Sequence, residues 1–164
     1  MNKITFQGNP LTLVGELVKI GDNAPGFILR ANDLSPVSLD NLADKTTIII
    51  TVPSLDTPVC DIETKRFSKE VEKMGNDIKI ICVSMDLPFA QGRWCGAEGV
   101  SNVQTLSDHF DASFGKAYGV LIEELRLLAR AVFVIDENKK VKYIQVVEEM
   151  TNEPDYEEVL RAVR

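Results

Sequence analysis

The chain has 164 residues, 45% of them apolar and 26% charged, with 25 acidic against 18 basic side chains for a net charge of −7. This is the make-up of one globular domain, large enough to bury roughly two-thirds of its unfolded surface without a disulfide or a metal. The acidic balance argues against a nucleic-acid or anionic-membrane partner, since both favour a basic face.

The first 20 residues predict a hairpin: Ile4 and Phe6 alternate with polar residues, Gly8-Asn9-Pro10 supplies turn chemistry, and Leu11 and Leu13 resume the alternation. No apolar stretch of the secretory type follows Met1, so a cytoplasmic location is expected. Short strands are predicted at 27–29 and 37–39 around an Asn32-Asp33 turn. The β-branched run 46–52 reads as a strand buried on both faces, as in a largely parallel sheet. It is the longest near-continuous apolar stretch, far short of the ~20 residues that span a bilayer.

After the loop 53–57, Thr57 is suited to cap a helix and Pro58 to occupy its first position. Ile62, Phe67, Val71 and Met74 form its apolar stripe, and Gly75-Asn76 ends it. A strand at 78–85 carries Cys82. Pro88 then opens a second helix, which carries Trp94 and Cys95 and ends at Gly96. A short strand is predicted at 103–106. Residues 131–135 and 141–147 form a hairpin about the turn 136–139, and 152–163 a terminal helix with Tyr156, Val159, Leu160 and Val163 inward.

Alternating strands and helices favour an α/β sheet with helices on its faces, here one domain over 1–164 with 1–20 as a hairpin extension. Functional groups in such sheets gather beyond the carboxyl ends of the strands. The loop after Val52 is such a place, and it leads to Cys60. No cofactor is expected, because the chain has no phosphate-cradling glycine loop. No metal site is expected either. The sole histidine, His109, sits in a polar run and reads as a surface or loop residue, and the cysteines lie 22 and 13 positions apart instead of in close pairs.

With Thr57 as cap, Cys60 falls in the first helical turn. Backbone N–H groups there lack intrahelical partners, and the macrodipole favours an anion. A free thiol has a pKa near ~8.5, and a helix N-terminus can lower it. Position alone leaves two readings, an inert apolar thiol or a nucleophile; the two bracing prolines and the nearby hydroxyl favour the second. Thr57 serves as a cap only, or also holds a substrate oxygen. Cys95 lies 35 positions on, in a helix weakened by Gly92, Gly96 and Gly99. By itself it reads as an isolated surface cysteine. Cys82, mid-strand, reads as a small core residue.

Pro53-x-x-x-Thr57-x-x-Cys60 resembles the active-site signature of the peroxiredoxins, and the full run Pro-Ser-Leu-Asp-Thr-Pro-Val-Cys resembles their thiol peroxidase branch, the atypical two-cysteine peroxiredoxins. The runs 89–99, 129–136 and 153–156 and the N-terminal hairpin are similar to the same branch, so the likeness covers essentially the whole chain. Trp94 stands where the branch more often has phenylalanine, and 123–128 is less glycine-rich than usual.

The resemblance implies a thioredoxin-like fold and a homodimer. It also implies a peroxide substrate, Cys60 as the peroxidatic and Cys95 as the resolving cysteine, and thioredoxin as reductant. Pro53, Thr57 and Arg130 would complete the peroxide site. Arg130 enters only through the resemblance, because no local feature singles it out. A peroxide-responsive sensing or thiol–disulfide exchange module without high turnover is the alternative, and the absence of Cys-x-x-Cys counts against a plain disulfide carrier.

Overall fold

The computed structural model describes residues 3–42, 45–74, 77–100 and 102–163. In chain order the first elements are β1 (Ile4–Phe6), β2 (Asn9–Leu11), β3 (Leu13–Val14), β4 (Ile28–Arg30), β5 (Pro36–Ser38), a 3-10 turn (Leu39–Asn41) and β6 (Thr46–Thr51). Then come α1 (Pro58–Glu72), β7 (Ile78–Ser84), α2 (Pro88–Glu98), β8 (Val103–Ser107), α3 (Ser113–Tyr118), β9 (Leu121–Ile122), β10 (Ala131–Ile135), β11 (Val141–Val146) and α4 (Tyr156–Val163).

Among the described residues, seven strands form one mixed sheet in the order β11-β10-β6-β7-β8-β4-β5. β6, β7 and β8 are parallel, with α1 and α2 as the connections between them. The central strands are buried on both faces, and their side chains alternate between two cores. Ile48, Ile50, Val52, Ile80, Cys82, Val132 and Val134 meet α1, α2 and α4 through Cys60, Phe67, Trp94, Tyr156 and Val159. Ile49, Ile81, Val83 and Phe133 meet α3 and the N-terminal segments through Phe27, Leu29, Phe114 and Tyr118.

The mixed topology is what assembles a site. β10 runs antiparallel to β6 with Ala131 opposite Thr51, and β11 returns with Val146 opposite Ala131. The start of β10, the end of β6 and the segment after β11 therefore share one end of the sheet. The 6→7→8 parallel run brings the ends of β7 and β8 there too.

The pattern of strands and helices matches the expected α/β class, with differences in detail. The hairpin turns at Gln7-Gly8, both at positive φ (50° and 83°), and not at Gly8-Asn9-Pro10. Asn9 and Pro10 belong to β2, and Leu13 leaves the hairpin to pair with Ile122. On α1 the inward face is Cys60, Glu63, Thr64, Phe67, Ser68 and Val71, while Ile62 is 52% exposed. The stop at Gly75-Asn76 lies outside the described residues. α2 continues through Gly96 and ends at Gly99, whose φ of 66° is the left-handed C-terminal conformation that glycine adopts without a Cβ penalty. α3 and β9 were not expected. α4 begins at Tyr156; residues 153–155 are irregular, and the Asp155 N–H donates to Gln145.

Candidate active site

Cys60 is the third residue of α1, after Thr57 at the cap position and Pro58 at the first. It is fully buried. Thr57 does not cap through its side chain: its hydroxyl donates to the Ser54 carbonyl at 3.0 Å, closing the loop on itself. Pro53 is buried and Thr57 half-buried in that loop.

Asp86, just beyond β7, fastens the loop. Its carboxylate accepts the Ser54 hydroxyl at 2.7 Å, the Leu55 N–H at 2.9 Å and the Ser84 hydroxyl at 2.8 Å. Ser84 in turn accepts from the buried Gln91 of α2 at 3.0 Å. One polar chain thus joins the Cys60 loop to the helix that carries Cys95.

Arg130 lies 70 positions from Cys60 in the chain, immediately before β10, and is 2% exposed. The antiparallel register carries it to the end of β6, where the Thr51 hydroxyl holds the Ala129 carbonyl at 2.7 Å. Its guanidinium makes three contacts. Nη1 donates to Cys60 Sγ at 3.1 Å and to Glu63 Oε2 at 2.8 Å, and Nε donates to the Met150 carbonyl at 2.9 Å. Burial works against the Arg130 charge, but Cys60 and Glu63 outweigh it and hold its pKa above the ordinary value.

Glu63 is fully buried, and its Oε1 accepts no hydrogen bond. Burial pushes its carboxyl up to about 7 against the opposing pull of Arg130. Sequence reasoning missed Glu63 and Asp86. The signal for Glu63 was available: positions 60, 63, 64, 67 and 71 follow helical spacing from the cysteine, which marks one inward face. Asp86 had no such local signal.

The two other cysteines differ sharply. Cys82 is fully buried in β7, beside the Thr64 hydroxyl at 3.9 Å. Burial, reinforced by the nearby Glu63, pushes its thiol well above the ordinary range. Cys95 is half-buried on α2, with Sγ 3.5 Å from the Thr105 hydroxyl, and borders a cleft of about 510 Å³. All three thiols are free. The residues flanking Cys60 and Cys95 touch directly: the Trp94 indole N–H donates to Asp61 Oδ1 at 3.0 Å. Lys65 bridges Asp61 at 3.0 Å and Glu98 at 2.6 Å, so α1 and α2 are clasped beside both cysteines. The structure thus brings Cys60 and Arg130 into contact, places Pro53 and Thr57 on the loop that leads into α1, and holds Cys95 on α2.

A buried thiol facing a guanidinium, just past the carboxyl ends of parallel strands, is a site for nucleophilic sulfur chemistry. The family model for Redoxin matches residues 19–160. The chain belongs to the Redoxin family. A thiol peroxidase of Halalkalibacterium halodurans is 56% identical over 164 residues, all of this chain and 98% of the relative. One of Bacillus subtilis is 55% identical with the same coverage. The crystal structure of a peroxiredoxin-like protein from Aquifex aeolicus superposes with a TM-score of 0.91 at 45% identity, covering 99% of this chain and 96% of that one. A thiol peroxidase from Chromobacterium violaceum shares the fold at 21% identity and a TM-score of 0.88, over 98% of this chain and 94% of that one. This redoxin falls in the thiol peroxidase branch of the peroxiredoxins and is a peroxiredoxin-type peroxidase. Among its described residues, no helix is long and apolar enough to cross a membrane.

Proposed function

We propose that this redoxin reduces hydrogen peroxide and organic hydroperoxides through a Cys60 sulfenic acid and an intramolecular Cys60–Cys95 disulfide, which thioredoxin returns to the dithiol. The observation that carries this reading is the 3.1 Å contact between Arg130 Nη1 and Cys60 Sγ. A fixed guanidinium is complementary to an anionic sulfur and to the charge that develops on a peroxide oxygen attacked by it.

The Cys60 thiolate attacks one peroxide oxygen in line. The S–O bond forms as the O–O bond breaks, and the leaving oxygen departs with a proton as water or alcohol. Arg130 stabilises the charge on that oxygen, the Thr57 hydroxyl holds the peroxide, and Pro53 excludes bulk water. The Cys95 sulfur then attacks the Cys60 sulfenic acid, water leaves, and a disulfide forms. A disulfide needs Cα atoms within about 7 Å, so the buried first turn of α1 and the glycine-weakened α2 open to let the sulfurs meet. An external dithiol supplies two electrons by exchange. Such a cycle suits a homodimer in the reducing cytoplasm.

The test is peroxide turnover with thioredoxin. Cys60→Ser is expected to abolish it. Cys95→Ser is expected to consume about one peroxide per chain and then stall, because the sulfenic acid has no internal partner. Normal cycling of Cys95→Ser would overturn the resolving role, and slow stoichiometric oxidation of the unaltered protein would favour a sensing module.

A further inference from the structure

The N-terminal hairpin lies outside the 19–160 segment that matches Redoxin, yet it reaches the site through one residue. β1 runs beside the strap that follows β11. The Thr5 N–H donates to the Glu148 carbonyl at 2.7 Å, and the Met150 N–H donates to the Thr5 carbonyl at 2.9 Å. The Met150 carbonyl accepts Arg130 Nε at 2.9 Å. One buried residue therefore takes the hairpin on its N–H and the guanidinium on its carbonyl.

Glu149 locks this arrangement. Its Oε1 accepts the Thr5 hydroxyl at 2.9 Å and the Gly8 N–H at 2.8 Å. Its Oε2 accepts the Thr151 N–H at 2.9 Å, the Thr151 hydroxyl at 2.7 Å and the Gln7 N–H at 3.3 Å. The donors come from β1, from the hairpin turn and from the strap, so a single carboxylate gathers all three. The Thr151 and Gly8 N–H groups, foremost, hold the carboxyl down to about 2, and it is anionic at neutral pH.

The guanidinium is planar, so its donors turn together. With Nε fixed on Met150 and Nη1 on Glu63, the remaining Nη1 direction is set toward Cys60 Sγ. Displacing the Met150 carbonyl rotates that fork. We propose that Glu149 is a positioning residue for peroxide reduction: it pins the hairpin to the strap and so fixes the carbonyl that aims Arg130 at Cys60. This rests on the roles of Cys60 and Arg130 given above and extends them to residues remote from the peroxide.

The test is a double-mutant cycle on full-length reduced protein, with hydrogen peroxide consumption followed by rapid quench. Glu149→Ala is expected to lower the second-order rate about tenfold, within the range that small misplacements of catalytic groups produce. Dithiothreitol reduction of the preformed disulfide is expected to stay within about twofold, since Arg130 aim is not needed there. In an Arg130→Lys background, Glu149→Ala is expected to add less than about twofold, because residues acting through one group are not additive. Thr5→Val removes one donor to the same carboxylate, and its smaller loss is also expected to vanish in Arg130→Lys. This second cycle decides the matter if Glu149→Ala does not fold. A folded Glu149→Ala with an undiminished rate, or losses that multiply in the Arg130→Lys background, would overturn the proposal. Arg130→Lys acting as fast as the unaltered protein would instead overturn the role of Arg130 itself.

Discussion

Arg130 meets a sulfur, a carboxylate and a backbone carbonyl from one rigid fork. A lysine keeps the charge but has neither the planar geometry nor the separate Nε and Nη1 donors. Arg130→Lys is therefore expected to lower the peroxide rate by about 10²-fold, the effect of removing one donor to a developing oxyanion. Steady-state kinetics at saturating thioredoxin would measure it. Cys82→Ser is expected to leave turnover nearly unchanged, because that thiol is buried, packed in β7 and held protonated. Cys60 could be placed in the first turn of a helix from sequence because the signals are local, Thr57 at the cap position and Pro58 after it. Asp86 and Glu149 could not be assigned in that way, since they gather partners from distant segments, and Glu63, whose inward face was legible, meets Arg130 only through strand register.

At the level of elements, the β-branched strands 6, 7 and 10 were readable because apolar runs bounded by turn residues leave little choice of structure. The short pieces were not: α3 is held by packing Phe114 and Tyr118 against Phe27 and Phe133 from distant segments, and β9 by pairing with β3. Gly96 as a helix end was a local inference overridden by context, because Trp94 and Lys65 tie α2 to α1 and carry the helix on to Gly99. In the proposed cycle that clasp governs how fast Cys60 and Cys95 meet. Trp94→Phe removes the indole donor to Asp61. A hydrogen bond worth about 1 kcal/mol net corresponds to about fivefold, so disulfide closure is expected to accelerate by that order. Less Cys60 should then be carried to the sulfinic acid at high peroxide, as mass spectrometry of quenched protein would show.

Over the whole molecule, two buried carboxyls set a pH dependence of stability. Burial raises Glu63 to about 7 and Asp108 to about 6, the latter despite N–H donors from Gly115 and Phe114. A carboxyl whose folded pKa lies above its unfolded value binds its proton more tightly in the native state. Its stabilising contribution is present below the ordinary carboxyl range and is lost as pH rises to the folded value. Urea midpoints are therefore expected to fall between about pH 4.5 and 7, and Glu63→Gln to flatten that slope. Glu149 acts with the opposite sign: its carboxyl is held down to about 2, so its contribution is lost as pH falls below the ordinary range. The α/β class and the succession of elements follow from patterning, whereas the sheet order and the docking of the hairpin depend on contacts no periodicity reveals. Both bear on the proposed joining of Cys60 and Cys95, which the fold keeps on separate helices. A non-reducing peptide map after one equivalent of peroxide tests that event: a Cys60–Cys95 linkage is expected, and a linkage through Cys82, or none within the chain, would refute it.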